Sequence, residues 1–417
     1  MTDLLWPGDQ HAARHFSDSA VLDAMIRVEA AWSAAMTKAG IAPAAAAVTA
    51  DGLRGLLSAD DPEAIAAAAE SGGNPVIPLV KTLRSGLGDP SAASWLHRGL
   101  TSQDVVDTAL ILCAVDAFAA VRADLEAQIS TLARLADDHR ATMMAARTLT
   151  QYAVPTTFGL KAAQWLRGVL DAHEQLTALT FPVQIGGAAG TLAAVVELGA
   201  DLPDPRGAAS EAAAVAAHEL GLSPAPPWHS VRTAITRCGD AAVGCTDAWG
   251  HLANDVLTLS RPEIGEVAEG AGGGSSTMPH KANPVLSVQI RRAAVAAPAL
   301  GATLHLAAAD ALEERSSGAW HAEWDALRTL VRRSVVAGRQ TTTLVEGLRV
   351  HTDRMLANLD AAGDAMTSEQ RSMAAVAGHE PAERYLGLAD EFIAAQLDRA
   401  ARFDRATAVP TTPGDER

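Results

Sequence analysis

Apolar residues recur at steps of three and four over most of this chain. Val21, Met25, Val28 and Trp32 follow Ser17, Asp18 and Ser19, which offer a helix cap, and Gly40 ends the helix they predict. A longer series, Val115, Phe118, Val121, Leu125, Ile129, Leu132 and Leu135, predicts an amphipathic helix of several turns that starts near Thr108. Phe158, Ala162, Trp165, Val169 and Leu176 predict another after Pro155. The same spacing predicts helices over 208–221, 230–258, 285–312, with Pro298 as a kink, and 322–348. No stretch alternates with period two for long enough to predict a strand. The expected fold class is all-α, built on a bundle of long helices.

Breaks in the pattern divide the chain. Residues 41–96 read as shorter helical pieces interrupted by Gly-Gly-Asn-Pro at 72–75 and Gly-Asp-Pro at 88–90. The expected domains are therefore an N-terminal helical domain over 1–107, a central bundle over 108–350 and a C-terminal helical domain over 351–417. In the last of these Gly363, Gly378 and Gly387 separate short pieces, and a polar tail from Thr407 to Arg417 is expected to be disordered. Alanine fills many of the apolar faces. Small side chains let helices approach closely, but each buries less area, and more helices from further copies of the chain compensate. A homo-oligomer is expected.

One stretch inside the bundle cannot be helical. Gly272 to Pro284 reads Gly-Gly-Gly-Ser-Ser-Thr-Met-Pro-His-Lys-Ala-Asn-Pro, with three glycines and two prolines between two predicted helices. Its first half has the composition of a flexible linker. Its second half adds the cation Lys281 and the amide Asn283 to the hydroxyls of Ser275, Ser276 and Thr277. Those are the groups needed to take a proton and to hold a carboxylate whose negative charge grows.

Charge and composition narrow the partners. Lys and Arg number 33 against 49 Asp and Glu, a net charge of −16, which argues against nucleic acid and anionic membrane. Each cation near a candidate site gains weight accordingly. Cys113, Cys238 and Cys245 lie in apolar helical surroundings and read as buried thiols of a reducing compartment. The N-terminal residues show no basic and apolar export pattern, and no segment approaches the ~20 apolar residues of a membrane span. A soluble, cytoplasmic protein is expected. Metal-ligand spacings, a Gly-x-Ser-x-Gly elbow and a phosphate-binding Gly-x-x-x-x-Gly-Lys are absent near the loop, so neither metal nor cofactor is expected.

Gly-Ser-Ser-x-Met-Pro-x-Lys-x-Asn-Pro, complete from Gly274 to Pro284, resembles the signature loop of the fumarase/aspartase superfamily. The resemblance implies that Ser275 is the base that removes a proton beside a carboxylate. It implies too that Lys281 and Asn283, with Ser276 and Met278 of the same loop, bind the substrate. Two further runs carry it. His97-Arg98-Gly99-Leu100-Thr101-Ser102-Gln103-Asp104 resembles the first conserved region, which implies that Thr101 and Ser102 bind carboxylate and that His97 lies at the active site. A helix cap would account for one hydroxyl there, but not for His97, Arg98 and Gln103 together. Arg147 to Lys161 resembles the second region, with Thr150, Gln151 and Tyr152 as candidates.

Tyr152 stands where the resemblance expects a histidine. Tyrosine, with a reference pKa of ~10 against ~6.5, can donate a proton or hydrogen bond but is a poor base at neutral pH. Loss of the histidine as an acid is least harmful when the leaving group is already a stable anion.

Pro227 to Arg232, Glu314 to Trp324 and Gln184 to Thr191 are similar to the carboxymuconate-cycloisomerase branch, which adds Arg232 and Arg315 as candidate binding residues. The resemblance implies three helical domains, a homotetramer cored by the long helices, a site shared between subunits and a polycarboxylate substrate. It ranks lactone formation from 3-carboxy-cis,cis-muconate first. Nitrosuccinate cleavage and, behind it, adenylosuccinate-type cleavage are the alternatives within the superfamily. A scaffold that has lost catalysis, serving as a structural oligomer, is the alternative outside it.

Overall fold

The computed structural model describes residues 3–270, 273, 274, 278 and 281–407. Helix α1 (Asp18–Lys38) begins as expected, with the Ser17 side chain accepting from the Ala20 N–H, and stops at Gly40, whose φ is +73°. Four short helices follow: α2 (Ala50–Arg54), α3 (Asp61–Gly72), α4 (Val76–Gly86) and α5 (Pro90–Trp95). The long helices are α6 (Ser102–Asp138), α7 (Phe158–Thr177), and, after the shorter α8 (Ala193–Leu198) and α9 (Pro205–Glu219), α10 (Thr233–Leu259), α11 (Val285–Ala309) and α12 (Ala319–Glu346). The chain ends in α13 (Thr352–Ala362), α14 (Ser368–Ala377) and α15 (Ala389–Thr407). Pro298 lies inside α11 as expected. Of the expected tail, Thr407 closes α15 and 408–417 lie outside the described residues.

Two antiparallel strand pairs correct the expectation that no stretch forms a strand. Strand β1 (Met143–Thr148) pairs with β2 (Gln151–Thr157), in a register that sets Arg147 opposite Tyr152. The two-residue turn between them is Leu149-Thr150, with φ of +47° and +71°. Such a turn needs positive φ at both positions and normally advertises itself with Asn or Gly. A bulge between Ala145 and Arg147 breaks the alternation that would otherwise mark β1. A second antiparallel pair, two residues long, sets β3 (Val267–Ala268) beside β4 (Arg349–Val350), with α11 and α12 lying between them in sequence.

The chain divides into two compact units, each discontinuous in sequence, whereas the sequence pattern suggests cuts at 107/108 and 350/351. The first comprises Met1–Ala120, Ala178–Val243 and Ala297–Val336. The second comprises Val121–Thr177, Gly244–Ala296 and Ala337–Arg417. Helices α6, α10, α11 and α12 contribute to both. Within the first unit α1 packs on α9, and Met25, Val28 and Trp32 are buried. Within the second, Val121, Leu125, Ile129 and Leu132 of α6 are fully buried, as are Phe158, Ala162 and Val169 of α7, while α15 packs on α7. Each such Val, Leu or Phe contributes roughly 1.5–3 kcal/mol relative to exposure.

α6 starts six residues before the position its apolar pattern suggests. Its first turns carry Gln103, Asp104, Asp107 and Thr108, which read as loop chemistry but are fully buried. Each makes a hydrogen bond to a partner distant in sequence.

Candidate functional site

The candidate residues fall into two groups, one in each unit. In the first unit the segment Leu96–Thr101 leads into α6. His97 takes a left-handed φ of +62°, uncommon for a residue with a Cβ, and the segment is tied down from two helices. Arg84 of α4 donates to the Leu96 carbonyl at 2.6 Å, and the Trp32 indole of α1 donates to the Arg98 carbonyl at 2.7 Å. Gly99 has a left-handed φ of +81°, where a side chain is strained, and a Cβ there would press on Val195 Cγ2. The His97 ring meets Glu29 of α1, Nδ1 to Oε1, at 2.6 Å, and Glu29 is fully buried. Burial works against the charged imidazole, but the charge of Glu29 and its hydrogen bond outweigh that and raise the His97 pKa. Arg98 is exposed and its Nε donates to the Ser94 carbonyl.

Thr101 and Ser102 open α6. The Asp104 carboxylate accepts the Thr101 N–H at 3.0 Å, and the Thr101 carbonyl accepts from the Asp104 N–H. The same carboxylate accepts the Gly186 and Gly187 N–H groups, both at 2.9 Å, and meets His229 Nε2 at 2.8 Å. Asp104 thus fastens the Thr101-Ser102 turn to the Gly186–Gly187 turn. The Thr101 hydroxyl accepts from Arg315 Nη2 at 2.6 Å, and Arg315 also donates to the Ala188 carbonyl. Arg315 is exposed, so a cation and a hydroxyl with its own proton left to donate stand together. That pair suits a carboxylate.

Two candidates sit elsewhere. Arg232 is buried, and its guanidinium is taken up by Asp107 at 2.6 Å and Glu323 at 2.6 Å. It is the centre of an internal ion cluster rather than a cation open to substrate, which corrects the expectation of a binding role. The Trp320 indole and the Gln103 amide complete the cluster on Asp107. Gln103 is fully buried, with its Nε2 also donating to the His229 carbonyl, so it supports the turn from inside.

In the second unit Tyr152 lies on β2 with 48% of its surface exposed. The Arg147 guanidinium stands 5.3 Å from its ring centre, within cation–π range. Arg147 is held bidentately by the buried Glu266, at 3.1 and 2.8 Å, and Glu266 accepts also from Asn358 Nδ2 at 2.8 Å. Thr150 and Gln151 are exposed at the hairpin tip, the Gln151 amide donating to the Thr150 hydroxyl. The signature loop is pinched at its base, where Gly273 and Asn283 exchange backbone hydrogen bonds at 2.9 and 2.8 Å. Beside it the Glu269 carboxylate caps α11, accepting from the Leu286 and Ser287 N–H groups and the Ser287 hydroxyl. Lys281 and Met278 are exposed, and Asn283 is half-buried. Ser275 and Ser276 lie outside the described residues.

Sequence reasoning passed over Glu29, Glu266 and Glu269 and gave Asp104 no role. The available signal was a carboxylate inside an apolar helical run, as in Val28-Glu29-Ala30-Ala31-Trp32, where a charge must have a partner. Burial pushes the Cys113, Cys238 and Cys245 thiols up to about 12, which leaves them inert as nucleophiles at neutral pH. Among the described residues no group of three or more His, Cys, Asp or Glu is arranged to hold a metal ion, and no helix is long and apolar enough to cross a membrane.

A family model described as "Lyase" matches residues 8–298. The chain is 43% identical to the nitrosuccinate lyase of Streptomyces davaonensis, over 91% of this chain and 84% of that one. It is 40% identical to the 3-carboxy-cis,cis-muconate cycloisomerase of Pseudomonas aeruginosa, over 86% of this chain and 78% of that one. Among solved structures it is similar to the 3-carboxy-cis,cis-muconate lactonizing enzyme of Pseudomonas putida, with a TM-score of 0.82 and 30% identity over 95% of this chain and 98% of that one.

Proposed function

The chain belongs to the fumarase/aspartase superfamily of lyases, and from that premise we propose that it expels a weakly basic anion from the carbon next to one bearing a carboxylate. The observation that carries this reading is Tyr152, a half-exposed phenol at the position where the superfamily resemblance expects a histidine. An amine or hydroxide must gain a proton as it leaves. Nitrite or a carboxylate leaves with its electron pair and needs none, so a site without a histidine at that position is suited to them.

In the proposed mechanism the Ser275 oxygen takes the proton from carbon, and the C–H electron pair moves into the adjacent carboxylate. The resulting aci-carboxylate carries two negative charges, and its stabilisation is the main energetic task. Thr101, Ser102, Lys281 and Asn283 donate to it. Arg315, bonded to the Thr101 hydroxyl, adds positive charge. The electron pair then returns to form the carbon–carbon double bond as the bond to the leaving anion breaks. His97 and Tyr152 hydrogen-bond the substrate in this reading. Arg98, Thr150, Gln151, Ser276 and Met278 belong to the same reading as wall and binding residues, in a homotetramer of the kind the resemblance implies.

Elimination of nitrite from nitrosuccinate is the first reading for the substrate, supported by the higher identity to the relative with that activity, 43% against 40% for the cycloisomerase. Lactone formation from carboxymuconate, which the motifs alone rank first, is the second; there the steps run in reverse, a carboxylate of the substrate adding to the double bond and Ser275 returning a proton to carbon. The likeness to a lactonizing enzyme along nearly its whole length supports it. Purified protein offered each acid separately decides between them. Nitrite in a colorimetric assay, with rising absorbance of an unsaturated dicarboxylate, is expected with nitrosuccinate. Loss of the diene absorbance of carboxymuconate without nitrite release would select the second reading. Turnover of adenylosuccinate instead would overturn the leaving-group argument.

A further inference from the structure

Glu29 has no place in the resemblance and none in the mechanism above, yet its setting is unusual. It lies in α1, fully buried among Val28, Ala30, Ala31 and Trp32, and a lone carboxylate in such a place costs several kcal/mol unless it is paired. Among the described residues its hydrogen-bonded partner is His97, with Nδ1 2.6 Å from Oε1. The second carboxylate oxygen, Oε2, is buried without a hydrogen bond. The backbone is shaped to make this contact. His97 accepts a left-handed φ, and its neighbours Leu96 and Arg98 are clamped through their carbonyls by Arg84 and Trp32. Trp32 is one helical turn beyond Glu29, so α1 grips the segment by two adjacent side chains.

We infer that Glu29 is a positioning residue for the reaction: it takes the Nδ1–H of His97, fixes the ring, and leaves Nε2 as the nitrogen that meets the substrate. The inference rests on the reading of His97 as a group of the site. Its physical logic is that of a buried carboxylate orienting an imidazole, where the partner of one nitrogen decides what the other can do. The carboxylate gains most when the ring is protonated. Burial opposes the cation, Glu29 favours it by charge and hydrogen bond, Arg84 of α4 opposes it and Asp104 of α6 favours it, and the balance raises the pKa of the ring. With a phenol at position 152, an imidazolium held by Glu29 supplies a charged hydrogen-bond donor.

The test uses the intact protein labelled with 15N-histidine, the His97 signals being assigned by their loss in His97→Gln. Above its pKa the neutral ring is expected as the Nδ1–H tautomer, the less common form of free imidazole. An Nε2–H tautomer would overturn the inference without any change at Glu29. Glu29→Gln keeps shape and an acceptor but removes the charge. The His97 titration is then expected to move to lower pH, and the alkaline limb of kcat/KM to move with it. kcat/KM near pH 7 should fall about ten- to a hundredfold, the range that holds for partners orienting metal-bound imidazoles. A variant that loses stability but keeps the limb in place would assign Glu29 to packing alone and refute its positioning role. If the wild type turns over neither acid, the proposed function fails, and the tautomer and titration still decide what Glu29 does to His97.

Discussion

Replacing Asp104 by Asn tests how the Thr101-Ser102 turn is held. The carboxylate is fully buried; Oδ2 accepts the Thr101 and Gly187 N–H groups, while Oδ1 accepts the Gly186 N–H and meets His229 Nε2. Asparagine has the same shape but only one acceptor atom. With its NH2 at the Oδ2 position the hydrogen bonds from the Thr101 and Gly187 N–H groups are lost, and at the Oδ1 position those from the Gly186 N–H and the Gln184 amide are lost, whatever the tautomer of His229. Hydrogen bonds to a charged group are worth roughly 1.5–3 kcal/mol each, so the loss is about 3–6 kcal/mol, before any relaxation of the turn. Against a domain stability of about 5–15 kcal/mol that is a large fraction. Urea unfolding followed by circular dichroism should show a much lower midpoint for Asp104→Asn, with an unchanged slope. At temperatures where the variant stays folded, KM should rise, since Thr101 and its partner Arg315 lose their fixed support. A variant with the wild-type midpoint would refute the hub, and one with a lowered midpoint but an unchanged KM would separate it from the site.

Arg232→Ala leaves Asp107 and Glu323 buried without their shared cation, and should cost about 3–5 kcal/mol in a denaturation measurement; a selective rise in KM at wild-type stability would return Arg232 to the binding residues. The raised pKa of His97 has a defined sign in stability. Its pairing with Glu29 contributes fully below the unfolded value near 6.5 and is lost as pH rises through the folded value. The midpoint gap between wild type and His97→Gln should therefore be widest at acid pH and close upward, and a gap independent of pH contradicts the pairing. Tyr152→His should add cleavage of an amine-bearing substrate such as adenylosuccinate, read by ultraviolet absorbance, and no gain would remove the leaving-group argument.

The helices were legible where apolar spacing alone places them, as in α1 and in the second-unit part of α6. The start of α6 was not, because Gln103, Asp104 and Asp107 look like loop residues until Gly186, His229 and Arg232 are seen to satisfy them. The hairpin was hidden by its Leu149-Thr150 turn and by Pro155 and a bulge, each of which breaks a rule for recognising strands. The candidate site was legible in its motifs, since hydroxyls, amides and cations crowd into short polar runs. Its supports were not. Glu29 and Glu266 are single carboxylates within ordinary helical or apolar sequence, and only tertiary contact shows that one holds His97 and the other holds Arg147. The same limit misplaced Arg232, whose motif shows a cation but not the two acids that surround it.

In the proposed mechanism a serine of the signature loop removes hydrogen from carbon. Deuterium exchange and turnover in Ser275→Ala test it together, with nitrosuccinate and carboxymuconate each supplied in deuterated water. Loss of the general base should lower kcat by about a hundred- to ten-thousandfold and abolish exchange at carbon, with the circular dichroism spectrum and unfolding midpoint unchanged. Exchange and turnover persisting at wild-type rates in a folded Ser275→Ala would assign the proton transfer to another group and contradict the account.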